Sequence, residues 1–215
     1  MKLVSTACAE YVKVRSRLRS VKRVAAIIVA AGASRRLGRP KQLLLVRGEP
    51  LLQRAIRAAC EAAASPVFVV LGANRELIEN SLDLAAARII VNERWDEGLA
   101  SSIRAGIKAV ESEAPEVAGV LLMTCDQPRV TAQHLVRLID VFRRAPQAAV
   151  ASVYADTRGV PAIFPRAALA DLTTLHGDRG ARGLLANPPW PVAEIPLEGG
   201  EVDIDRPEDL AQLKV

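Results

Sequence analysis

The 215 residues, with a mass of 23.1 kDa, suffice for one large domain or two small ones with a core that needs no disulfide bonds. Half of the residues are hydrophobic and a quarter are charged, which excludes a largely disordered or collagen-like chain. A formal net charge of +5 and a pI near 9.4 would favour a polyanionic partner such as nucleic acid if the charge were evenly spread.

The positive charge is concentrated at the N-terminus. Residues 1–23 carry seven basic side chains and one acidic side chain, so residues 24–215 carry 22 basic and 23 acidic side chains. We therefore predict a basic, disordered extension over residues 1–22, one domain over residues 23–215, and no nucleic-acid partner. The extension lacks the apolar core of a secretion signal, and no apolar run is long enough to span a bilayer. We expect a cytoplasmic protein without membrane contact. Three widely spaced cysteines indicate neither a disulfide framework nor a zinc site.

Short apolar runs alternate with amphipathic segments along the chain. The run from Val24 to Ala30 is apolar throughout, as expected for a strand buried on both faces. Further strands are predicted at 67–71, 89–91, 119–123, 148–154 and 160–164, and helices begin near residues 51, 74, 99 and 131. This alternation predicts a single-domain α/β fold of three layers around a mostly parallel open sheet. Ligands bind such sheets at the carboxyl ends of the strands, so the site is expected in the loops after Ala30, Val91 and Met123.

The loop after the first strand reads AAGASRRLGRPK over residues 30–41 and carries two glycines, a hydroxyl group and four cations. Backbone N–H groups beside glycines, together with converging Arg and Lys side chains, form concave sites for polyphosphates. The loop is not a Walker A loop, because five residues separate Gly32 from Gly38 and no Gly-Lys-Ser/Thr follows. It does not match GxGxxG either. Taken alone, it is equally consistent with a basic surface loop that uses its glycines for turns.

Four motifs follow one another along the chain. The first is AAGxSxRxGxxK in this loop, and the others are WDEGLASSIRAG at 95–106, DQP at 126–128 and DIDRPED at 203–209. In this order they resemble the motifs of the MobA-like nucleotidyltransferases. GVPA at 159–162 and GDRGAR at 177–182 most resemble the molybdenum cofactor cytidylyltransferase branch. Each motif alone is weakly specific, but the ordered set spans residues 24–213.

The resemblance implies a GT-A-like fold and an enzyme that attaches a nucleoside monophosphate to a phosphorylated acceptor. For this branch the implied reaction transfers CMP from CTP to molybdenum-loaded molybdopterin, with Mg²⁺ as cofactor and pyrophosphate as the second product. A molybdenum hydroxylase is the implied recipient of the dinucleotide cofactor. In-line attack on an α-phosphate needs positioning and charge neutralisation, and it needs no covalent nucleophile.

The resemblance assigns the nucleotide to the first loop and to the WDEGLASSIRAG segment. Arg36 and Lys41, expected to be catalytic with Asp126, would hold the β- and γ-phosphates and the charge that grows on the α-phosphoryl group. Gly32 allows close approach of the chain, and Ala31 marks the branch associated with CTP, since the guanylyltransferase branch carries Gly there. The expected nucleotide-binding residues are Ala30, Ala31, Gly32, Ser34, Arg36, Lys41, Gly98, Ser102 and Gly106.

Aspartates are the candidate ligands for Mg²⁺, which prefers oxygen ligands and takes one or two carboxylates. Asp126 is the first choice, because it follows an apolar strand where a carboxylate has no packing role; the alternative is a turn residue before Gln-Pro. Asp203 is the expected second ligand. If this stretch is extended, the side chains of Asp203 and Asp205 lie on the same face of it. The sequence around Asp205 also matches a capping box, with Asp205 as the N-cap and Glu208 as its partner. Asp203 is therefore ranked above Asp205.

Gly98 is expected to open a helix whose N-terminal N–H groups face the site, with Ser102 in its first turns. The alternative is that Ser101 and Ser102 are small residues that allow close helix packing. Trp95 suits a half-buried loop anchor as well as a platform for a ligand.

The acceptor is the least defined part of the prediction. Gly177, Asp178 and Arg182 are candidate acceptor-binding residues, with a simple loop-to-helix cap as the alternative. The same motifs suit transfer to a sugar phosphate or to methylerythritol phosphate. A non-catalytic chaperone that inserts the molybdenum cofactor would not need Asp126. A dinucleotide-binding oxidoreductase is disfavoured, because GxGxxG and the ribose-binding acid that follows it are missing.

Overall fold

The computed structural model describes residues 22–206 and residue 209. The predicted basic extension lies outside the described residues except for Lys22, whose Nζ donates a hydrogen bond to the backbone carbonyl of Arg143 at 2.9 Å. The boundary between an extension and a domain therefore stays a prediction.

A seven-stranded sheet forms the centre of the fold. Its strands are β1 Val24–Val29, β4 Val67–Leu71, β5 Arg88–Val91, β6 Gly119–Thr124, β7 Ala149–Tyr154, β8 Thr157–Pro165 and β9 Val192–Pro196, while β2 Leu45–Val46 and β3 Glu49–Pro50 form a separate hairpin. The strand order is β5-β4-β1-β6-β8-β7-β9. Strands β5, β4, β1 and β6 are parallel, β8 is antiparallel to both of its neighbours, and β9 is parallel to β7. The predicted α/β class with a mostly parallel sheet is confirmed.

Helices cover both faces of the sheet. They are α1 Leu51–Glu61, α2 Arg75–Ser81, α3 Leu99–Glu113, α4 Ala132–Arg144, α5 Leu169–Thr173 and α6 Arg182–Ala186. Helices α1, α2 and α4 belong to one core cluster and α3, α5 and α6 to the other. Successive residues of β1 point alternately into the two clusters, so the whole strand is buried, which accounts for its continuous apolar run. Among the described residues, no helix is long and apolar enough to cross a membrane.

The sequence does not predict five of these elements: β2, β3, α5, α6 and β9. Helices α5 and α6 have five residues each, and β9 is a five-residue edge strand that mixes polar and apolar side chains. Segments this short carry too few residues for a periodic pattern, so contacts with the core decide their conformation.

A buried polar network joins α4 to β7 and β8. Thr131 Oγ1 accepts a hydrogen bond from the His134 N–H, which confirms the predicted helix start. His134 is 1% exposed, and its Nε2 lies 2.7 Å from Ser152 Oγ, which donates to the Pro161 carbonyl. Its Nδ1 accepts from the Arg137 guanidinium at 3.1 Å, since a guanidinium can only donate. The imidazole is therefore neutral, and burial, followed by the charge of Arg137, lowers its pKa to about 4.

We expect His134 to make the stability of the fold depend on pH. Its folded pKa of about 4 lies below the ordinary value of 6.5, so between these values the unfolded chain binds a proton that the folded chain does not. The free energy of unfolding should therefore fall by about 3 kcal/mol as the pH is lowered from about 7 to about 4. His134→Gln should remove this share of the decrease, as measured by urea unfolding across that range. His176→Gln, which replaces an exposed histidine, is the control and should keep the original profile. Identical profiles for His134→Gln and the unsubstituted protein would contradict this account.

Candidate active site

A cleft of about 690 Å³ opens at the carboxyl ends of β1 and β6, beside the N-terminus of α3. This is the position predicted for a ligand of an open parallel sheet. The exposed Arg35 also lines this first cleft. The cleft brings together nine of the residues predicted to bind nucleotide or to act in catalysis: Ala30, Ala31, Gly32, Ser34, Arg36, Lys41, Gly98, Ser102 and Asp126.

Hydrogen bonds to the carbonyl groups of residues 30–32 hold the backbone of the loop after β1 in place. The Gln42 side chain, which is 1% exposed, donates through Nε2 to the carbonyls of Ala30 at 2.6 Å and Gly32 at 3.2 Å. The Ala31 carbonyl accepts from the Ala73 N–H at 3.0 Å. Within the described part of the chain, the backbone N–H groups of residues 31–36 have no protein acceptor. These donors are therefore available to an anionic ligand. Gln42 belongs to none of the sequence motifs, so the sequence alone does not identify this role.

Ser34 closes the same loop. Its φ angle of +52° reverses the chain direction, and its carbonyl accepts hydrogen bonds from the N–H groups of Leu37 and Gly38. Its Oγ accepts from the Lys41 N–H at 3.1 Å. Ser34 thus fixes the start of the short turn of helix that carries the Lys41 side chain into the cleft.

Lys41 lies between two carboxylates. Its Nζ donates to Asp126 Oδ2 at 2.5 Å and to Asp205 Oδ1 at 2.8 Å, and the other oxygen of Asp205 accepts from Arg36 at 2.7 Å. Burial acts to lower the pKa of Lys41, but the charge and hydrogen bond of Asp126, with a contribution from Asp205, raise it above its ordinary value. For Asp205, partial burial is outweighed by Lys41 and Arg36, and its pKa falls below the usual range. Lys41 and Asp205 are therefore both charged at neutral pH.

The N-terminus of α3 is fitted closely to the segment around residue 177. Gly98 has a φ angle of +98°, and a Cβ there would lie 2.5 Å from the backbone carbon of Gly177 and 2.6 Å from Asp178 Oδ1. The Gly177 carbonyl accepts from the Ala100 N–H at 3.0 Å. Gly177 therefore supports the wall of the cleft, while Asp178 itself lines it.

Asn92 organises the serines of α3. Its Nδ2 donates to Ser101 Oγ at 2.8 Å and to Ser102 Oγ at 3.0 Å, and Ser101 Oγ donates to the Gly98 carbonyl. Both serines are buried, and Ser102 lines the cleft. The packing role and the ligand-facing role of this pair are thus combined. Asn92 lies directly after β5, in the loop where the site is expected, but it belongs to none of the sequence motifs.

Gly106 and Trp95 of the WDEGLASSIRAG segment both make close packing contacts. Gly106 does not line the cleft: a Cβ there would lie 2.6 Å from Ile27 Cγ2, so the glycine lets α3 approach β1 closely. Gly106 therefore has a packing role, and its expected role in nucleotide binding stays a prediction. Trp95 is half-buried, rests against Gly72 and also lines the cleft, so it is both an anchor and a possible contact surface for a ligand.

A second cleft of about 370 Å³ adjoins the first, and Asp126 and Asp178 line both. Arg182 and Asp203 line the second cleft but not the first, and the Arg182 guanidinium lies 5.9 Å from the centre of the Tyr154 ring. Although part of Asp203 faces solvent, lost hydration and then the charge of Asp126 raise its pKa to about 7. Asp203 is thus a carboxylate that would be stabilised by a further cation.

The C-terminal segment departs from the predicted capping box. The Asp205 side chain binds Lys41 and Arg36, and Asp209 Oδ2 accepts from the N–H groups of Asp205 at 3.0 Å and Arg206 at 2.8 Å. Glu208, the predicted partner, lies outside the described residues. The Asp209 carboxylate therefore accepts the hydrogen bonds of the Asp205 and Arg206 N–H groups. The Asp205 side chain bonds the cations of the first cleft instead.

Within residues 22–206 and 209, no group of three or more His, Cys, Asp or Glu side chains is placed to hold a metal ion. A metal in this cleft would therefore take only one or two carboxylates from the chain, with oxygens of the substrate or water completing its coordination.

A model of the MobA-like NTP transferase domain matches residues 26–192, which is most of the chain. The chain belongs to the MobA-like NTP transferase family. The family predicted from the four motifs is thereby confirmed, and the protein is a nucleotidyltransferase.

The alignments with two named relatives cover most of this chain and most of each relative. Nicotine blue oxidoreductase from Paenarthrobacter nicotinovorans is 34% identical over 201 residues, which cover 88% of this chain and 96% of that protein. A probable molybdenum cofactor guanylyltransferase from Opitutus terrae is 32% identical over 148 residues, covering 68% of this chain and 69% of that protein.

Solved structures show the same fold. Rv0371c from Mycobacterium tuberculosis is 31% identical, with a TM-score of 0.77 over 89% of this chain and 97% of that chain. A complex of Rv0371c with manganese gives a TM-score of 0.74 at 28% identity, with the same coverage.

We expect Gln42→Met to weaken nucleotide binding through the loop that Gln42 holds. Methionine keeps the length of the side chain but removes both hydrogen bonds to the carbonyls of Ala30 and Gly32, at a cost of about 1–3 kcal/mol. The Kd for a nucleoside triphosphate, measured by titration calorimetry, should rise about tenfold. Gln133→Met changes an exposed glutamine of α4 and should leave the Kd unchanged. An unaltered Kd in a folded Gln42→Met protein would show that the loop does not need this support.

Proposed function

We propose that this protein transfers CMP from CTP to the phosphate of a molybdopterin-type acceptor and releases pyrophosphate. The observation that carries the proposal is the junction of two clefts at Asp126, with Lys41 and Arg36 on the first side and Arg182 on the second. Cations on both sides of one carboxylate suit a reaction that brings two polyanions together.

The triphosphate fits the first cleft. The free N–H groups of residues 31–36 and the side chains of Lys41 and Arg36 offer donors and positive charge to its oxygens. A Cβ on Gly32 would meet no atom within 4 Å, which leaves room for a ligand to approach the backbone. Because Asp205 now holds both cations, triphosphate binding exchanges these ion pairs for bonds to phosphate.

A divalent metal fits the carboxylates at the junction. The Lys41 ammonium already bonds an oxygen of Asp126 and an oxygen of Asp205, so these two oxygens converge on one cation. We therefore propose Asp126 and Asp205 as the ligands in the first cleft. Asp203, expected as second ligand from the sequence, lines the second cleft beside Asp126. Mg²⁺ would supply charge neutralisation for the triphosphate, and the manganese complex of Rv0371c supports a divalent ion.

The acceptor fits the second cleft, where Arg182 and Asp178 lie. Its phosphate oxygen would attack the α-phosphorus of CTP, forming the new P–O bond as the bond to pyrophosphate breaks. Arg182 would hold the acceptor phosphate, and Lys41 would stabilise charge on the α-phosphoryl group. No side chain has to form a covalent bond.

The choice of substrates rests on the relatives and on Ala31. The relative named molybdenum cofactor guanylyltransferase supports a molybdenum cofactor acceptor. Ala31, which lines the first cleft, supports CTP through the AAG form of the loop. A molybdenum hydroxylase is the proposed recipient of the product.

Redox chemistry is the second candidate, because the relative from Paenarthrobacter nicotinovorans is named an oxidoreductase. The loop after β1 contains no GxGxxG sequence, and the first cleft contains four charged side chains joined by three direct ion pairs. Both features favour a metal–triphosphate complex over a nicotinamide dinucleotide.

We expect pyrophosphate release when the protein is incubated with Mg²⁺, molybdenum-loaded molybdopterin and CTP, and less release with ATP, GTP or UTP. Asp126→Asn should lower the rate about a hundredfold or more, because it removes the charge at the junction. Asp140→Asn, on the exposed surface of α4, is the matched control.

Release with methylerythritol phosphate or a sugar phosphate in place of molybdopterin would keep the reaction type and reject the acceptor. No release with any pair of substrates would favour a cofactor-insertion chaperone, and NAD(P)H oxidation without release would favour redox chemistry.

We expect Asp205→Asn to weaken metal binding more than Asp203→Asn does. Loss of a charged ligand should raise the Kd for Mn²⁺ in the presence of CTP by about tenfold or more, as measured by electron paramagnetic resonance. Asp203→Asn should instead act mainly on the KM for the acceptor, since Asp203 lines the second cleft. The reverse ranking of the two variants would return Asp203 to the role predicted from the sequence.

A further inference from the structure

A third cavity, of about 730 Å³, lies beyond the second cleft and is not used by the reaction described above. It is formed by the segment 174–186, and we call it the Arg179 cavity. Gly180 and Arg182 line both this cavity and the second cleft. The Arg179 cavity therefore adjoins the second cleft at Gly180 and Arg182.

The wall of the Arg179 cavity is held by the core. Ala181 and Leu185 are buried, and the Leu185 carbonyl accepts a hydrogen bond from Arg158 at 3.1 Å. The Leu175 carbonyl accepts from Arg104 of α3. These contacts anchor the segment on both sides of the cavity, so its shape exists before a ligand binds.

The chemistry of the Arg179 cavity combines an apolar wall with a basic rim. Leu175, Leu184 and Ala186 supply the apolar surface, and His176 and Arg179 lie at the rim with exposed side chains. None of the ion pairs in the described part of the chain involves the Arg179 guanidinium. A cation beside an apolar wall suits a ligand with a flat or apolar body that also bears anionic or electron-rich groups.

We propose that the Arg179 cavity is the second compartment of the acceptor site and binds the part of the acceptor farthest from its phosphate. The inference rests on the proposed function and specifies its substrate class: a phosphate monoester with a large body and a second electronegative region. A small phosphate monoester would fill the second cleft and leave this compartment empty. The compartment thus selects a molybdopterin-type acceptor against sugar phosphates through contacts remote from the reacting phosphate.

Arg179→Glu tests the proposal, because it reverses the charge at the rim and leaves the first cleft intact. Steady-state kinetics with CTP and molybdenum-loaded molybdopterin should give an acceptor KM at least about tenfold higher, with the KM for CTP unchanged. Arg144→Glu makes the same charge change at the exposed end of α4 and should leave the acceptor KM as it is.

Inhibition by glycerol 3-phosphate adds a readout for the second cleft alone. Its inhibition constant against molybdopterin should be the same in Arg179→Glu and in the unsubstituted protein, because it reaches Arg182 but not Arg179. An unchanged acceptor KM in Arg179→Glu, or equal loss of glycerol 3-phosphate binding, would overturn the second compartment while the proposed function stands. No turnover by the unsubstituted protein would overturn both.

Discussion

The ammonium group of Lys41 connects three parts of the chain that are far apart in sequence. It bonds Asp126 at the end of β6 and Asp205 in the C-terminal segment, and it extends from the loop after β1. The side chains of Lys41 and Asp126 are both mostly buried, at 17% and 16% exposed. Because water reaches neither charge well, removal of one would leave the other buried without a compensating charge. The shape of the first cleft depends on this contact, because the loop after β1, the end of β6 and the C-terminal segment meet there.

The same ion pairs explain how the site accepts a highly charged ligand. Without ligand, the carboxylates neutralise the cations that a triphosphate needs, and the cations neutralise the carboxylates that a metal needs. In the proposed reaction, a metal–triphosphate complex would bring both charges at once, so each protein group would exchange one partner for another. Exchange of this kind limits the net gain on binding, which favours release of charged products after the reaction.

The parts of this protein that the sequence predicts are those with a local signal. Strands β1 and β6 are continuous apolar runs, Thr131 is a local N-cap, and the cationic loop lies next to β1 in the chain. Gln42 and Asn92 give no such signal, because each acts through hydrogen bonds to groups that only the folded chain brings near. The short elements α5, α6 and β9 are decided by the core for the same reason.

Asp203 and Asp205 of the DIDRPED motif show where sequence spacing is no longer enough to predict a position. On an extended strand Asp203 and Asp205 would share a face. The segment is not a strand, however: Ile204 is fully buried in a small apolar cluster, and its N–H donates to the Asp126 carbonyl at 3.1 Å. This anchor places Asp205 in the first cleft and Asp203 in the second. One short motif thereby supplies a carboxylate to each side of Asp126. In the proposed reaction, neighbouring residues of a single segment would then serve the nucleotide site and the acceptor site.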